Sequence, residues 1–91
     1  MYDIDFTNAF KKSFKRMEKR GVKKESFFDV VAVLASGKEL PPKNKNHALS
    51  GTLTGYYECH INPDWLLVYA IDKSEKIITL YDTGTHSDLF K

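Results

Sequence analysis

The chain has one cysteine, Cys59, and so can form no internal disulfide; no cysteine pair with metal-ligand spacing exists either. No apolar run approaches the roughly 18 residues needed to span a bilayer, and no membrane segment is expected. The chain starts Met-Tyr-Asp-Ile-Asp-Phe, with two acids where a secretory signal carries basic residues and an apolar stretch, so a cytoplasmic address is expected. HExxH, CxxC, a phosphate-binding glycine loop and a Gly-x-Ser-x-Gly elbow are all missing, as are repeats, linkers and low-complexity segments. What remains is an ordinary globular composition, 42% hydrophobic and 13% aromatic, in 91 residues. That length fits one domain, 1–91, near the size at which a single core is self-sufficient without disulfide or metal, and Cys59 reads as a small buried apolar residue.

Net charge is only +2, but it is unevenly spread. Residues 1–45 hold 11 Lys and Arg against 6 acids, whereas residues 46–91 hold 3 against 6. Eight basic residues lie between Lys11 and Lys24, with Glu18 the one acid among them. Such a run raises the local concentration of a polyanion such as RNA or draws an acidic protein segment; it also serves as a plain solvated helix face.

The order of elements follows from periodicity. Tyr2, Ile4 and Phe6 alternate with polar residues, as in a strand, and Thr7 or Asn8 can cap a helix whose stripe is Phe10, Phe14 and Met17, stopped at Gly21. A second helix is expected over 24–36, with Phe27, Val30, Val31 and Leu34 on one face and Gly37 at its end. The two form a hairpin on one face of a sheet. Residues 38–55, with Pro41-Pro42, Asn44, Asn46, Gly51 and Gly55, read as irregular chain anchored by Leu40, Leu49 and Leu53. Strands then follow at 56–61, 65–71 and from 76 to 81 or slightly beyond, joined by turns at Asn62-Pro63-Asp64 and Asp72-Lys73-Ser74-Glu75 into an antiparallel meander. The middle strand is apolar at both parities, as a strand covered on both faces must be. The fold class is α+β.

Histidine is scarce too, and its three positions carry the chemical reading. In the strand 56–61, Tyr57, Cys59 and Ile61 share one face and Tyr56, Glu58 and His60 the other. Asp64 opens the next strand across a tight turn from His60, and the third strand returns to that end, where Thr83-Gly84-Thr85 delivers His86. Two imidazoles and a carboxylate therefore meet at one rim of the sheet, with His47 in the preceding loop. Imidazole is the side chain whose unperturbed titration lies near neutrality. Cleavage of RNA by its own 2′-hydroxyl needs a base for that proton, an acid for the 5′ leaving oxygen, and cations or donors for the charge that builds on phosphate. Two histidines and nearby lysines meet that need without metal or cofactor. The alternatives are structural histidines and a zinc site built from His47, His60, His86 and Asp64, for which no short ligand spacing is present.

Three stretches carry a resemblance: His47-Ala-Leu-Ser-Gly51; Gly55-Tyr-Tyr-Glu-Cys-His60-Ile-Asn-Pro-Asp64-Trp65-Leu-Leu-Val-Tyr69; and Thr83-Gly-Thr-His86-Ser-Asp-Leu-Phe90. In order and spacing they resemble the YafQ branch of the RelE toxin family. The resemblance implies a RelE-like fold, an N-terminal strand and helix pair before the meander. It also implies a bacterial type II toxin that cleaves mRNA in the ribosomal A site without metal. Its implied partners are the ribosome, mRNA and a cognate antitoxin of the DinJ/RelB kind with an acidic, flexible segment. Position by position it gives catalytic roles to His47, His60, Asp64 and His86 and a base-stacking role to Phe90, whose alternative is a C-terminal anchor in the core. Relatives commonly carry Arg where Asp82 stands, and an acid there repels phosphate. Lys43, Lys45 or cations on the helices are the available substitutes. A noncatalytic toxin of the same fold, acting on another target such as gyrase, is the alternative function.

Overall fold

The computed structural model describes residues 1–90; Lys91, the last residue of the expected 1–91 domain, lies outside them. Thr7 separates the first strand, β1 (Asp3–Phe6), from the first helix, α1 (Asn8–Lys19), and fastens both. Its hydroxyl accepts the Phe10 N–H at 3.0 Å and donates to the Tyr81 carbonyl at 2.7 Å. Gly21, at φ +85°, turns the chain toward α2 (Lys24–Ala35), and Gly37, at φ +78°, follows its end. The expected stripes face inward. Phe10, Met17, Phe27, Val30 and Leu34 are buried, with Phe14 and Val31 packed against them. Rings of Phe10, Phe14, Phe27 and Trp65 pack at centroid separations of 4.8–6.2 Å, joining both helices to the sheet through aromatic contact.

The sheet has five strands: β1, β2 (His47–Ala48), β3 (Tyr57–Asn62), β4 (Trp65–Asp72) and β5 (Ile77–Gly84), in the spatial order β1-β5-β4-β3-β2. The meander β3-β4-β5 is antiparallel, as expected. The first strand adds a parallel pairing, Asp3 opposite Ile77 and Phe6 opposite Leu80, which makes the sheet mixed. That pairing joins segments far apart in sequence, so no local pattern announces it. Part of the stretch read as irregular is also a strand. β2 pairs with β3 on the far edge, His47 opposite Glu58, between single turns at Pro42–Asn44 and Gly51–Leu53.

Trp65 through Tyr69 are all buried, as a strand covered on both faces requires. Cys59, Ile61, Trp65, Leu67, Tyr69, Ile78 and Leu80 belong to the core beneath the helices. Burial pushes the Cys59 thiol up to about 12, the charge of Glu58 adding to the effect, so it remains an inert thiol at neutral pH. A bulge separates the pairs Val68–Asp82 and Tyr69–Leu80 and leaves Tyr81 unpaired. The extra residue resets the alternation, so Leu80 and Thr83 face the helices while Asp82 and Gly84 face the opposite side. That shift carries β5 past Tyr81 to Gly84 and delivers its end to the outer face. There the chain enters α3 (His86–Leu89). Among the described residues, no helix is long and apolar enough to cross a membrane.

Candidate active site

Register places two rows of residues across the outer face at one end of the sheet. One row runs His47, Glu58, Val68, Asp82 over four strands; the next runs His60, Leu66, Gly84. Beyond Gly84, Thr85 caps α3, which makes His86 the first residue of the helix. The His60 and His86 rings meet edge to face with centroids 5.4 Å apart. Asp64, in the β3–β4 turn, accepts the His86 Nδ1–H at 2.7 Å and the His86 backbone N–H at 3.1 Å on the same oxygen. These bonds, the side-chain one first, hold the Asp64 carboxyl below its ordinary value. A carboxylate on Nδ1 fixes the tautomer, stabilises the charge that imidazole acquires with a second proton, and leaves Nε2 facing outward. The convergence of His60, Asp64 and His86 expected from the strand order is therefore present.

His47 stands beside this group on the edge strand, tied to a different partner. Its Nδ1–H donates to the Lys45 carbonyl at 2.9 Å, and its Nε2 lies 3.5 Å from Glu58 Oε1. With Nδ1 already donating, that contact is attractive only when a proton sits on Nε2 or on the carboxyl. Glu58 itself is only 5% exposed, and its Oε2 has no hydrogen-bond partner. A buried, half-satisfied carboxyl is costly in a fold and common in sites that handle protons. It is the residue that sequence reading passed over. Strand alternation had placed Glu58 on the face of His60, but a carboxylate on the outer face of a strand reads as solvated.

The cations fall into two groups. Lys43 and Lys45 line a 370 Å³ cavity together with His60, Asn44 and Asn62, so positive charge does reach the rim from the loop. Asn44 is buried beneath it, and its Nδ2 donates to the His60 carbonyl at 2.7 Å, holding the backbone of β3. The helix-borne Arg16 and Arg20 are engaged elsewhere, on Asp88. Asp82 accepts the N–H of Thr83 at 2.8 Å and stays on the outer face in the row of Glu58. Phe90 follows α3 at 47% exposure and is not part of the hydrophobic core. Among the described residues its ring enters no aromatic pair, whereas that of Trp65 packs on Phe14 and Phe27 and is buried with Nε1 donating to Thr83 Oγ1 at 2.8 Å.

The arrangement defines a small α+β protein with a histidine–carboxylate rim suited to acid–base chemistry. The family model for the bacterial toxin of type II toxin–antitoxin systems, YafQ, matches residues 2–91. The mRNA interferase toxin YafQ of Escherichia coli K12 is 32% identical over 89 residues, 97% of this chain and 95% of the relative. A metal-bound toxin from Helicobacter pylori superposes with a TM-score of 0.92 at 41% identity, over 99% of this chain and all of that one. The E. coli DinJ–YafQ complex gives 0.90 at 30% identity, over the whole of both chains. The chain belongs to the YafQ family of type II toxins. Among its described residues, no group of three or more His, Cys, Asp or Glu side chains is placed to hold a metal ion.

Proposed function

We propose that this toxin is an mRNA interferase that cleaves ribosome-bound mRNA in the A site, in the cytoplasm, and is neutralised by a cognate antitoxin. The observation that carries the reading is the contact of His60 with His86, with Asp64 on the far nitrogen of His86. In this chemistry the 2′-oxygen attacks the adjacent phosphorus, its proton passes to a base, and the P–O5′ bond breaks as an acid protonates the leaving 5′-oxygen. A 2′,3′-cyclic phosphate and a 5′-hydroxyl result. His86 suits the acid role because Asp64 stabilises its imidazolium, and His60, across the 5.4 Å contact, with Glu58 and His47 in the adjoining row, suits the base side. Lys43 and Lys45 supply positive charge beside His60, and Phe90 stacks on a base of the mRNA, a contact worth about 1–3 kcal/mol in other systems. The basic run of α1 attracts ribosomal RNA and, in the inactive complex, an acidic antitoxin segment. The solved complex of the E. coli relative with DinJ supports that partner.

The test is induction of wild type, His60→Ala and His86→Ala in a bacterial host, with growth followed and mRNA ends mapped, and cleavage measured with and without chelator in reconstituted translation. Loss of a proton-transfer group costs about 10²- to 10⁴-fold in rate. Each substitution is expected to relieve growth arrest and abolish the new mRNA ends, and chelator to leave wild-type cleavage unchanged. Toxicity that persists in both variants would sink the histidine mechanism.

A further inference from the structure

His86 lies in a helix of four residues, too short to hold itself, so something outside it must fix its position. Asp64 grips His86 from one side. From the other, Thr85 and Asp88 close a reciprocal cap: Thr85 Oγ1 accepts the Asp88 N–H at 3.2 Å and Asp88 Oδ2 accepts the Thr85 N–H at 2.9 Å. The same carboxylate takes both arms of the Arg20 guanidinium, Nη1 at 2.7 Å and Nη2 at 3.3 Å, with Arg16 3.6 Å away. Arg20 is the C-terminal cap of α1, a twelve-residue helix anchored in the core by Phe10 and Met17. Gly84 supports the arrangement sterically, since a Cβ there would sit 2.8 Å from the Asp88 Cβ.

We propose that Asp88, held by Arg20, is the positioning residue for His86: it fastens the Thr85–His86 backbone to α1 so that the His86 ring meets both Asp64 and His60. The cleavage part of this inference rests on the reading of His86 as a proton-transfer group; the positional part does not. The Arg20 side chain is 43% exposed and that of Asp88 only 14%, and the two-armed contact fixes the orientation of the carboxylate that caps Thr85. Arg20 first, and then the Thr85 N–H, hold the Asp88 carboxyl well below the usual carboxylate range, so the clamp is ionised throughout the neutral range.

The experiment uses the full chain, ¹⁵N-labelled, with ring ¹H–¹⁵N spectra of His86 recorded beside kcat and KM for cleavage of ribosome-bound mRNA. In the wild type, neutral His86 is expected in the Nδ1–H form that Asp64 selects. Asp88→Ala should move the ring signals toward the Nε2–H form. It should also lower kcat about ten- to a hundredfold, with KM within about twofold. Arg20→Ala should act in the same direction, and Arg20→Lys, which keeps the charge but loses the two-armed geometry, should restore part of the loss. Unchanged His86 ring signals in folded Asp88→Ala and Arg20→Ala would overturn the proposal. Ring signals that move while kcat stays level would leave the clamp standing and remove His86 from the chemistry. Where Asp88→Ala fails to fold, Arg20→Ala, whose altered side chain is 43% exposed, decides the matter alone.

Discussion

The two faces of the sheet obey different rules. Toward the helices, Cys59, Trp65, Leu67, Tyr69, Ile78 and Leu80 pack against two amphipathic stripes, and the polar atoms admitted there are matched. Trp65 Nε1 donates to Thr83, and the Thr83 hydroxyl passes the bond on to the Leu66 carbonyl at 2.5 Å. On the outer face, Leu66 and Val68 are equally buried, yet their neighbours in the rows are Glu58 with an unpartnered oxygen, His60 and Asp82. One face satisfies every local preference and the other breaks several within two rows. Conflicts of this kind collect where a protein does chemistry, because a fully satisfied polar group has nothing left to offer a substrate. On the proposed function, the difference puts stability on one side of β4 and reactivity on the other, although the same strand serves both.

The largest effect should come from cutting into the satisfied face. Leu67 is fully buried beneath the helices, and Leu67→Ala should cost about 2–5 kcal/mol through lost transfer energy and the cavity left behind. The residual activity per folded molecule should stay near wild type, since Leu67 points away from the rim. Chemical denaturation paired with cleavage per folded molecule makes the check. A selective loss of activity at unchanged stability would mean that the two faces are not separable.

Glu58 offers the opposite trade. Removing a buried carboxyl oxygen that has no hydrogen-bond partner relieves a desolvation cost of about 1–3 kcal/mol. Glu58→Leu should therefore raise the unfolding free energy by an amount near the lower end of that range while, on the proposed function, cutting cleavage by about tenfold or more, as the loss of a proton-transfer group does. A variant that gained no stability and kept its activity would remove Glu58 from the site.

How far this division could be read from the sequence depended on whether neighbours in space were neighbours in the chain. His60, Asp64 and His86 could be gathered because short turns connect their strands, and alternation then fixed their face. The helical stripes were legible for the same reason, each face being written within a dozen residues. The parallel partner of β1 was not, and β2, with two residues, is too short to display a period. Asp88 shows both cases. Its cap with Thr85 follows a local Thr-x-x-Asp pattern, but its bond to Arg20 spans 68 positions and leaves no trace in either segment. Burial of Glu58 depends on what covers the outer face, and no pattern within β3 contains that information.

Asp82 tests the comparison at its mildest point. It shares a row with Glu58, and among the described residues the arginines that could offset it are bound to Asp88, which leaves Lys43 and Lys45 as the cations lining the cavity beside His60. A phosphate entering that rim meets two lysines on one side and a carboxylate on the other. Partly exposed charges interact at about 0.2–1 kcal/mol each, so reversing the sign at this position should be worth roughly 1 kcal/mol in the transition state, or about fivefold in cleavage of ribosome-bound mRNA. Asp82→Arg is expected to give that gain, and to give less of it at high salt, where the contribution is screened. Its effect on stability should be small, because the carboxylate's one hydrogen bond is to the adjacent Thr83 N–H. No gain in rate at low salt would mean that the lysines already neutralise the phosphate in full and that the acid lies outside its reach.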